Sequence, residues 1–320
     1  MLSDALDDRA AAGWTRSPAN PVVSTAGGDW CRDFIAPCSL VERDGRLWLY
    51  TEGSAGGHEQ IGLFTAPVDD PTTWTPSEHN PVLRVGDGFD RGGVFDPAVV
   101  EFRGRWLMYF SATEGDAHEY AEQLAHGQAG DGPVGEWIGL ATSDDGVHFD
   151  KHPGGPVLSA RCPFALVHDD RVYLFFVQVV DGGYRIHLSV SADGVTFEPV
   201  QDAPVLDVGG PGSWDGFSVT TPKVFRDGDR FCMSFAGDDA SLDDPKGIGL
   251  AYSDDLVHWE KVPGNPVFTA GPDGEFDSVS LQSPLIRRMG DRYVMLYAGS
   301  DHTIFDGLHS QVGLAWAALR

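Results

Sequence analysis

The fold is decided by Trp14-Thr-Arg-Ser-Pro-Ala-Asn-Pro-Val-Val23, a stretch near the start of the chain. It matches Trp259-Glu-Lys-Val-Pro-Gly-Asn-Pro-Val-Phe268, near the other end, almost position for position. The later copy closes a repeat unit, whereas the last unit of the chain stops after its third strand. The early copy therefore supplies the strand that the last unit lacks.

The repeat unit recurs along the whole chain. Each unit has a Pro followed by an apolar strand, a charged or Gly turn, an aromatic-rich strand, a variable loop and an Ile-Gly-Leu-Ala-like strand. β-Branched and aromatic residues between turn residues are typical of strands, and these segments are too short for helices. The aromatic-rich segments are 46–50, 105–110, 171–176, 230–235 and 292–297.

These units predict an all-β protein, a five-bladed β-propeller with four-stranded blades and an N-terminal strand that closes the last blade. We expect one domain over 1–320, with the closing strand in 1–25. The expected blades are about 29–86, 87–159, 160–208, 209–270 and 271–320. A two-sheet sandwich, the alternative, does not explain why the two ends share one repeat unit.

Composition narrows the range of functions. The formal charge of −26 argues against nucleic acid as a partner and, more weakly, against anionic membranes. No apolar run approaches the length of about 18 residues that a membrane span needs, and the acidic N-terminus shows no signal peptide. A cytoplasmic location is expected. The four cysteines lack zinc-site spacing and are expected to be buried thiols, with a Cys31–Cys38 bridge as the alternative.

In a propeller, loops at one face of the ring build the site. Residues that differ between repeats are better functional candidates there than shared ones. Asp96 directly precedes Pro97, and Asp33 lies four residues before Pro37; other blades carry no acid at either place. We predict Asp33 and Asp96 as functional residues, because carboxylates near a ring axis are costly without a function.

Three blades share an aromatic-Asp pair seven residues before the Pro: Phe89-Asp90, Trp214-Asp215 and Phe276-Asp277. A turn-capping role is the alternative to a catalytic one. We predict that both Asp215 and Asp277 belong to the site.

Further predicted substrate contacts are polar or aromatic residues on the same face: Trp30, Glu114, Arg161, Gln282 and His302. The loops between second and third strands add Glu52, His58 and Glu59. A long insertion between 111 and 136 carries His118, Glu119 and His126. A loop of this length in a compact fold is usually functional or disordered.

The segment Phe95-Asp-Pro-Ala-Val-Val-Glu-Phe-Arg-Gly-Arg-Trp-Leu-Met-Tyr109 resembles the propeller glycosidases of glycoside hydrolase families 43, 62, 32, 68, 117 and 130. Ile248-Gly-Leu-Ala-Tyr-Ser-Asp-Asp-Leu-Val-His-Trp259 is also typical of them, and the repeat extends the resemblance over the whole chain. Families 43 and 32 use a first-blade base or nucleophile, a second Asp and a Glu acid. The resemblance implies the first role for Asp33 and the second for Asp96.

The family Glu acid lies two residues before a Pro of a later blade, where this chain has Arg161, Thr220 and Gln282. The acid is then Asp215, Asp277 or a loop residue such as Glu114 or His302. Of these we predict Asp215 as the third acid and Asp277 as a substrate contact. Family 130 phosphorylases carry an Arg after their Asp-Pro, and Ala98 stands there in this chain.

The resulting hypothesis is a glycoside hydrolase that cleaves a small or terminal glycoside, such as a furanoside, by carboxylate acid/base catalysis. The alternatives are a phosphate-dependent phosphorylase, with Arg91, Arg161 and Lys223 as candidate phosphate ligands, and a non-catalytic carbohydrate-binding propeller. A carbohydrate is the expected partner. No cofactor is expected, an axial Ca²⁺ or Na⁺ ion being the one alternative. The sequence leaves the oligomeric state open.

Overall fold

A computed structural model describes residues 13–116, 119, 136–240, 244–303 and 309–318. They form five antiparallel sheets; in four of them the strands follow the chain order from inner to outer, and the fifth takes its outermost strand from the start of the chain. The predicted all-β propeller is therefore confirmed. Within these residues no helix has the length and apolar character that crossing a membrane requires.

The strands are, in chain order, β1 (Thr15–Arg16); β2 (Phe34–Arg43), β3 (Arg46–Ala55), β4 (His58–Pro67) and β5 (Thr75–Pro76) in blade 1; β6 (Gly93–Phe102), β7 (Arg105–Thr113), β8 (Glu136–Ser143) and β9 (Asp150–Lys151) in blade 2; β10 (Arg161–His168), β11 (Arg171–Val180), β12 (Gly183–Ser191) and β13 (Glu198–Pro199) in blade 3; β14 (Ser218–Asp227), β15 (Arg230–Asp238), β16 (Gly247–Ser253), β17 (Glu260–Lys261) and β18 (Phe268–Thr269) in blade 4; and β19 (Ser280–Met289), β20 (Arg292–Ser300) and β21 (Gln311–Ala318) in blade 5. Two 3₁₀ helices, Thr25–Gly27 and Asp29–Cys31, lead into β2.

Strand β1 is the outermost strand of blade 5, as predicted. It pairs with β21, with Thr15 opposite Trp316. Asn20 then fixes the following turn, because its side chain accepts a hydrogen bond from the Leu314 amide (2.8 Å) and donates one to the Leu314 carbonyl (3.1 Å). Asn80 and Asn265 repeat this arrangement on the third strands of blades 1 and 4. The early and late copies of the repeat therefore form the same structure.

The five inner strands contact one another in succession, and β19 returns to β2, which closes the ring. Each of the five clusters of buried apolar side chains lies between two neighbouring blades. The aromatic-rich second strands supply much of this core because their side chains alternate between the two faces of each sheet. All four cysteines are buried free thiols, as expected, so Cys31 and Cys38 form no bridge.

A bulge interrupts the inner strand of every blade, and it corrects the sequence alignment of the blades. In blades 2 to 5 the bulge contains the residue before the repeated Pro, which has a positive φ. These residues are Asp96 (φ 49°), Cys162 (φ 50°), Thr221 (φ 46°) and Ser283 (φ 50°).

In blade 1 the register shifts between Pro37 and Ser39, so Pro37 itself occupies the place of Asp96, and Cys38 that of Pro97. Aligning Pro37 with the other prolines is wrong by one residue. Asp33 accordingly corresponds to Gly92 rather than Gly93.

Candidate functional site

Two buried carboxyl groups meet where blade 1 contacts blade 2 near the axis. Glu52 belongs to β3, not to the loop after it, and lies opposite Ala36. Its Oε2 accepts a hydrogen bond of 2.8 Å from the amide of Asp96. The carboxyl group of Asp96 in turn accepts a hydrogen bond of 2.9 Å from the Ser111 hydroxyl. Glu52 is 5% exposed and Asp96 is 4% exposed, so the protein holds both groups in place.

The bulge explains why a side chain of one blade reaches the backbone of the next. At the positive φ of a bulge residue, the amide is left outside the strand ladder. Ser111 satisfies the Cys162 amide at 2.8 Å, and Thr221 satisfies the Ser283 amide at 3.2 Å. Glu52 does the same for Asp96. A hydroxyl group is sufficient to satisfy this amide, as Ser111 and Thr221 show. The fold therefore does not require a carboxyl group at Glu52.

Burial and like charge both act on Glu52. Burial raises the pKa of Glu52 well above its usual range, and the negative charges of Asp96 and Glu59 raise it further; the Asp96 amide and the Arg161 guanidinium oppose them. Burial and the neighbouring negative charges therefore favour the protonated form of Glu52. Burial also raises the pKa of the Cys38 thiol, whose sulfur lies within 4.8 Å of a carboxyl oxygen of each acid.

Arg161 borders this pair from blade 3. Its guanidinium lies 3.2 Å from an oxygen of Glu136 and 3.2 Å from the hydroxyl of Tyr184. It also lies over the ring of Phe95, 5.4 Å from the centroid. Arg161 was predicted to bind substrate, and the structure places it beside Glu52 with its charge already matched by Glu136.

Three predicted residues lie at loops near the face of the ring. Asp33 accepts a hydrogen bond of 2.7 Å from the Gly56 amide, in the hairpin between β3 and β4. Glu114 forms an ion pair of 2.7 Å with Arg91. The His302 ring contacts Asp301 at 2.6 Å. Among the described residues, none of the three predicted ones hydrogen bonds to Glu52 or Asp96.

The aromatic-Asp pairs have one structure in three blades. Asp90, Asp215 and Asp277 each form an ion pair with a basic residue of the outermost strand of their own blade: Lys151, Lys261 and Arg16 respectively. We call this contact the blade clamp. Because the three clamps are alike, the shared Asp has a structural role that needs no substrate. Neither Asp215 nor Asp277 belongs to the proposed site.

Trp30 and Cys31 are a fourth copy of this pair, which the one-residue error at Pro37 concealed. The buried Trp30 ring packs against Gly53, as the half-buried Trp214 ring packs against Gly237. A Cβ atom at Gly237 would lie 2.6 Å from the Trp214 ring, so glycine is required there. The structure thus places Trp30 in the core.

The last predicted contact, Gln282, is half-buried on β19, at the register position that Arg161 has on β10. The predicted loop residues His118 and His126 lie outside the described residues. Over the described ranges, Cys38, Glu52 and Asp96 are the group of side chains close enough to hold a metal ion.

Glu52 could have been found from the repeat. The second strands align on Tyr50, Tyr109, Phe175, Ser234 and Leu296, and two residues later carry Glu52, Ser111, Val177, Ala236 and Ala298. Glu52 is the single acid in this set. Treating it as a loop residue hid the signal.

No known family model and no curated protein sequence matches the chain. Solved structures do match over nearly its whole length. A putative glycoside hydrolase from Bacteroides ovatus is 14% identical, with a TM-score of 0.71 over 96% of this chain and 98% of that one. A β-1,2-mannobiose phosphorylase from Listeria innocua, in complex with β-1,2-mannobiose, is 13% identical, with a TM-score of 0.67 over 96% and 97%. An exo-1,5-α-L-arabinanase from a bovine ruminal metagenomic library is 14% identical, with a TM-score of 0.59 over 94% of each chain.

The chain therefore has the five-bladed fold of propeller glycoside hydrolases, as the resemblance of its repeats implied. At these identities the likeness concerns the fold.

Proposed function

We propose that this protein is a glycoside hydrolase whose catalytic carboxyl groups are Glu52 and Asp96. The observation that carries the proposal is the buried pair itself: two acids, joined through a backbone hydrogen bond, with the pKa of Glu52 raised by burial and by its acidic neighbours. A carboxyl group whose pKa is raised by burial, placed beside a second carboxyl group, is a common arrangement for acid and base chemistry in one site. The shared fold with carbohydrate-active enzymes supports the same reaction class.

The roles follow from the electrostatics. Glu52, which holds the proton, donates it to the glycosidic oxygen as the bond to the leaving group breaks. Asp96 attacks the anomeric carbon and forms a glycosyl-enzyme ester. Water then attacks that carbon, Glu52 takes its proton, and the ester bond to Asp96 breaks. Ser111 orients the Asp96 carboxylate through its 2.9 Å hydrogen bond.

The separation of the acids favours retention of configuration. A carboxyl oxygen of Glu52 lies within 4.8 Å of one of Asp96. Retaining glycosidases hold their carboxyl groups about 5–5.5 Å apart, whereas inverting ones need about 6.5–9.5 Å to admit a water molecule. The close pair leaves little room for that water.

The test compares Glu52→Gln and Asp96→Asn with wild type on aryl furanosides and pyranosides that differ in leaving group. We expect Asp96→Asn to lose activity on every substrate. Glu52→Gln should lose about 10²–10⁴-fold on glycosides with poor leaving groups and much less on nitrophenyl glycosides, which need no protonation. Product anomers, followed by NMR, should show retention.

Glu42→Gln is the matched control, because Glu42 is an exposed acid of β2 paired with Arg287. Asp33→Asn and Asp215→Asn test the roles predicted from sequence in the same assay. If Glu52→Gln is as active as Glu42→Gln on poor leaving groups, Glu52 is not the acid. If Asp33→Asn alone abolishes turnover, the centre lies at the rim and not at the buried pair.

A further inference from the structure

Lys223 breaks the pattern of the inner strands. It lies on β14 opposite Ser234, directly after the bulge. The same register position in the other blades carries residues without charge: Ser39, Ala98, Phe164 and Leu285. Lys223 is only 3% exposed. The fold alone does not require a buried cation here, because four other blades do without one.

The ammonium group of Lys223 has no carboxylate partner within ion-pair distance among the residues that the structure describes. Its neighbour is the ring of Phe164, whose centroid lies 5.9 Å from Nζ. A buried charge without a partner is costly, and an aromatic face offsets only part of that cost. The surroundings of Lys223 therefore favour an anionic ligand.

Lys223 belongs to the same part of the ring as the carboxyl pair. The pKa of the Cys38 thiol is raised by burial and by Glu52, and the positive charge of Lys223 is close enough to oppose that rise. Cys38 in turn lies within 4.8 Å of Glu52 and Asp96. Arg161, the other cation near the pair, is engaged by Glu136 at 3.2 Å. Lys223 is thus the cation that a ligand can pair with.

We infer that the site at the ring axis binds an oxyanion on Lys223, next to Glu52 and Asp96. This inference rests on the proposed function and narrows its substrates. The oxyanion is either the carboxylate of an acidic sugar in the substrate or free inorganic phosphate. In the phosphate case, a phosphate oxygen attacks the anomeric carbon, the glycosidic bond breaks, and its oxygen takes the proton of Glu52, which yields a sugar phosphate.

The experiment titrates the intact protein with inorganic phosphate, with glucuronate and with neutral glucose by calorimetry, and records Tm with each probe. We expect one oxyanion to bind and to raise Tm. Lys223→Met should weaken that binding at least about tenfold, since a charge-assisted hydrogen bond is lost. Lys223→Arg, which keeps the charge, should retain most of it. Lys246→Met, at an exposed lysine of the same blade, is the matched control.

The two sources give different results. If phosphate binds, its addition should convert hydrolysis into formation of a sugar phosphate. If glucuronate binds and phosphate does not, aryl uronides should be cleaved faster than the neutral glycosides. Lys223→Gln serves if the Met variant fails to fold. Wild type that binds neither oxyanion, or binding that both uncharged variants retain, overturns the inference. Hydrolysis of neutral glycosides would then still support the proposed function, whereas oxyanion binding without turnover would contradict that function alone.

Discussion

Replacing Lys261 by Met removes the cation of a blade clamp and leaves the Asp215 carboxylate of that clamp buried. Asp215 is 2% exposed, and its carboxylate pairs with Lys261 and accepts a hydrogen bond of 3.0 Å from Ser213. In the variant only the Ser213 bond remains. We predict a large loss in the free energy of unfolding, although this residue pair lies outside the proposed site.

The magnitude follows from burial. Removing one partner of a buried ion pair costs about 3–5 kcal/mol, because the remaining charge is desolvated without compensation. Lys261 is itself a quarter exposed, so water can partly replace it, and we expect the lower end, about 3 kcal/mol. Unfolding entropies of about 2.1 cal/mol/K per residue give about 0.7 kcal/mol/K for 320 residues, hence a fall in Tm of about 4 °C.

The assay is urea and thermal unfolding of Lys261→Met, of Asp215→Asn and of the double variant. The double variant should recover part of the loss, because no unpaired charge remains. Arg105→Met, at an exposed pair with Asp144, should change stability by no more than about 0.5 kcal/mol. A loss below about 1 kcal/mol for Lys261→Met, or a double variant less stable than either single one, would refute the reasoning.

Three more changes test the fold. Asn265→Ala removes the two hydrogen bonds of 2.9 Å to Leu250 and should cost about 1–3 kcal/mol in urea unfolding; no measurable loss would contradict the role of Asn265 on the third strand. Gly237→Ala should cost about 1–3 kcal/mol of overpacking against the indole beneath it, whereas Gly210→Ala, with open space around it, should leave Tm unchanged; equal effects would contradict this packing. Backbone hydrogen bonds lower the pKa of Asp193 to about 2, below its unfolded value, so its stabilisation is present above about pH 4 and lost as pH falls toward 2. Asp193→Asn should therefore flatten the fall of Tm between about pH 5 and pH 2.5, and an unchanged slope would contradict that assignment.

The architecture could be predicted from sequence because each blade repeats the same local information. The aromatic strands, the turns and the Asn-Pro segments recur at matching places, and the match between Trp14 and Trp259 identified the closure. The alignment error at Pro37 arose because Pro37 occupies the place of Asp96, one residue before the place of the repeated proline. A proline is therefore not a fixed marker of the bulge position.

The site was harder to predict because it depends on contacts between blades. That Glu52 reaches the Asp96 amide follows from how blade 1 packs against blade 2, which no spacing within one blade records. The shared Asp of the blade clamp looked like a catalytic acid because a buried ion pair and a catalytic carboxylate carry the same residue type. Its partner, Lys261, is 46 residues away along the chain.

The pairing of β1 with β21 has a consequence for how the protein reaches its native state. Nearly every other sheet contact joins neighbours in sequence, whereas the Asn20–Leu314 bonds span 294 residues. Bringing such distant segments together is the most entropically expensive ring-closing step, and contacts of high sequence separation slow folding. A circular permutant with residues 1 and 320 joined and new ends between blades 2 and 3 would make this pairing local, and stopped-flow refolding would show whether the rate-limiting step moves with it. The folded ring would be unchanged, but the long-range contact that closes it would now lie between blades 2 and 3.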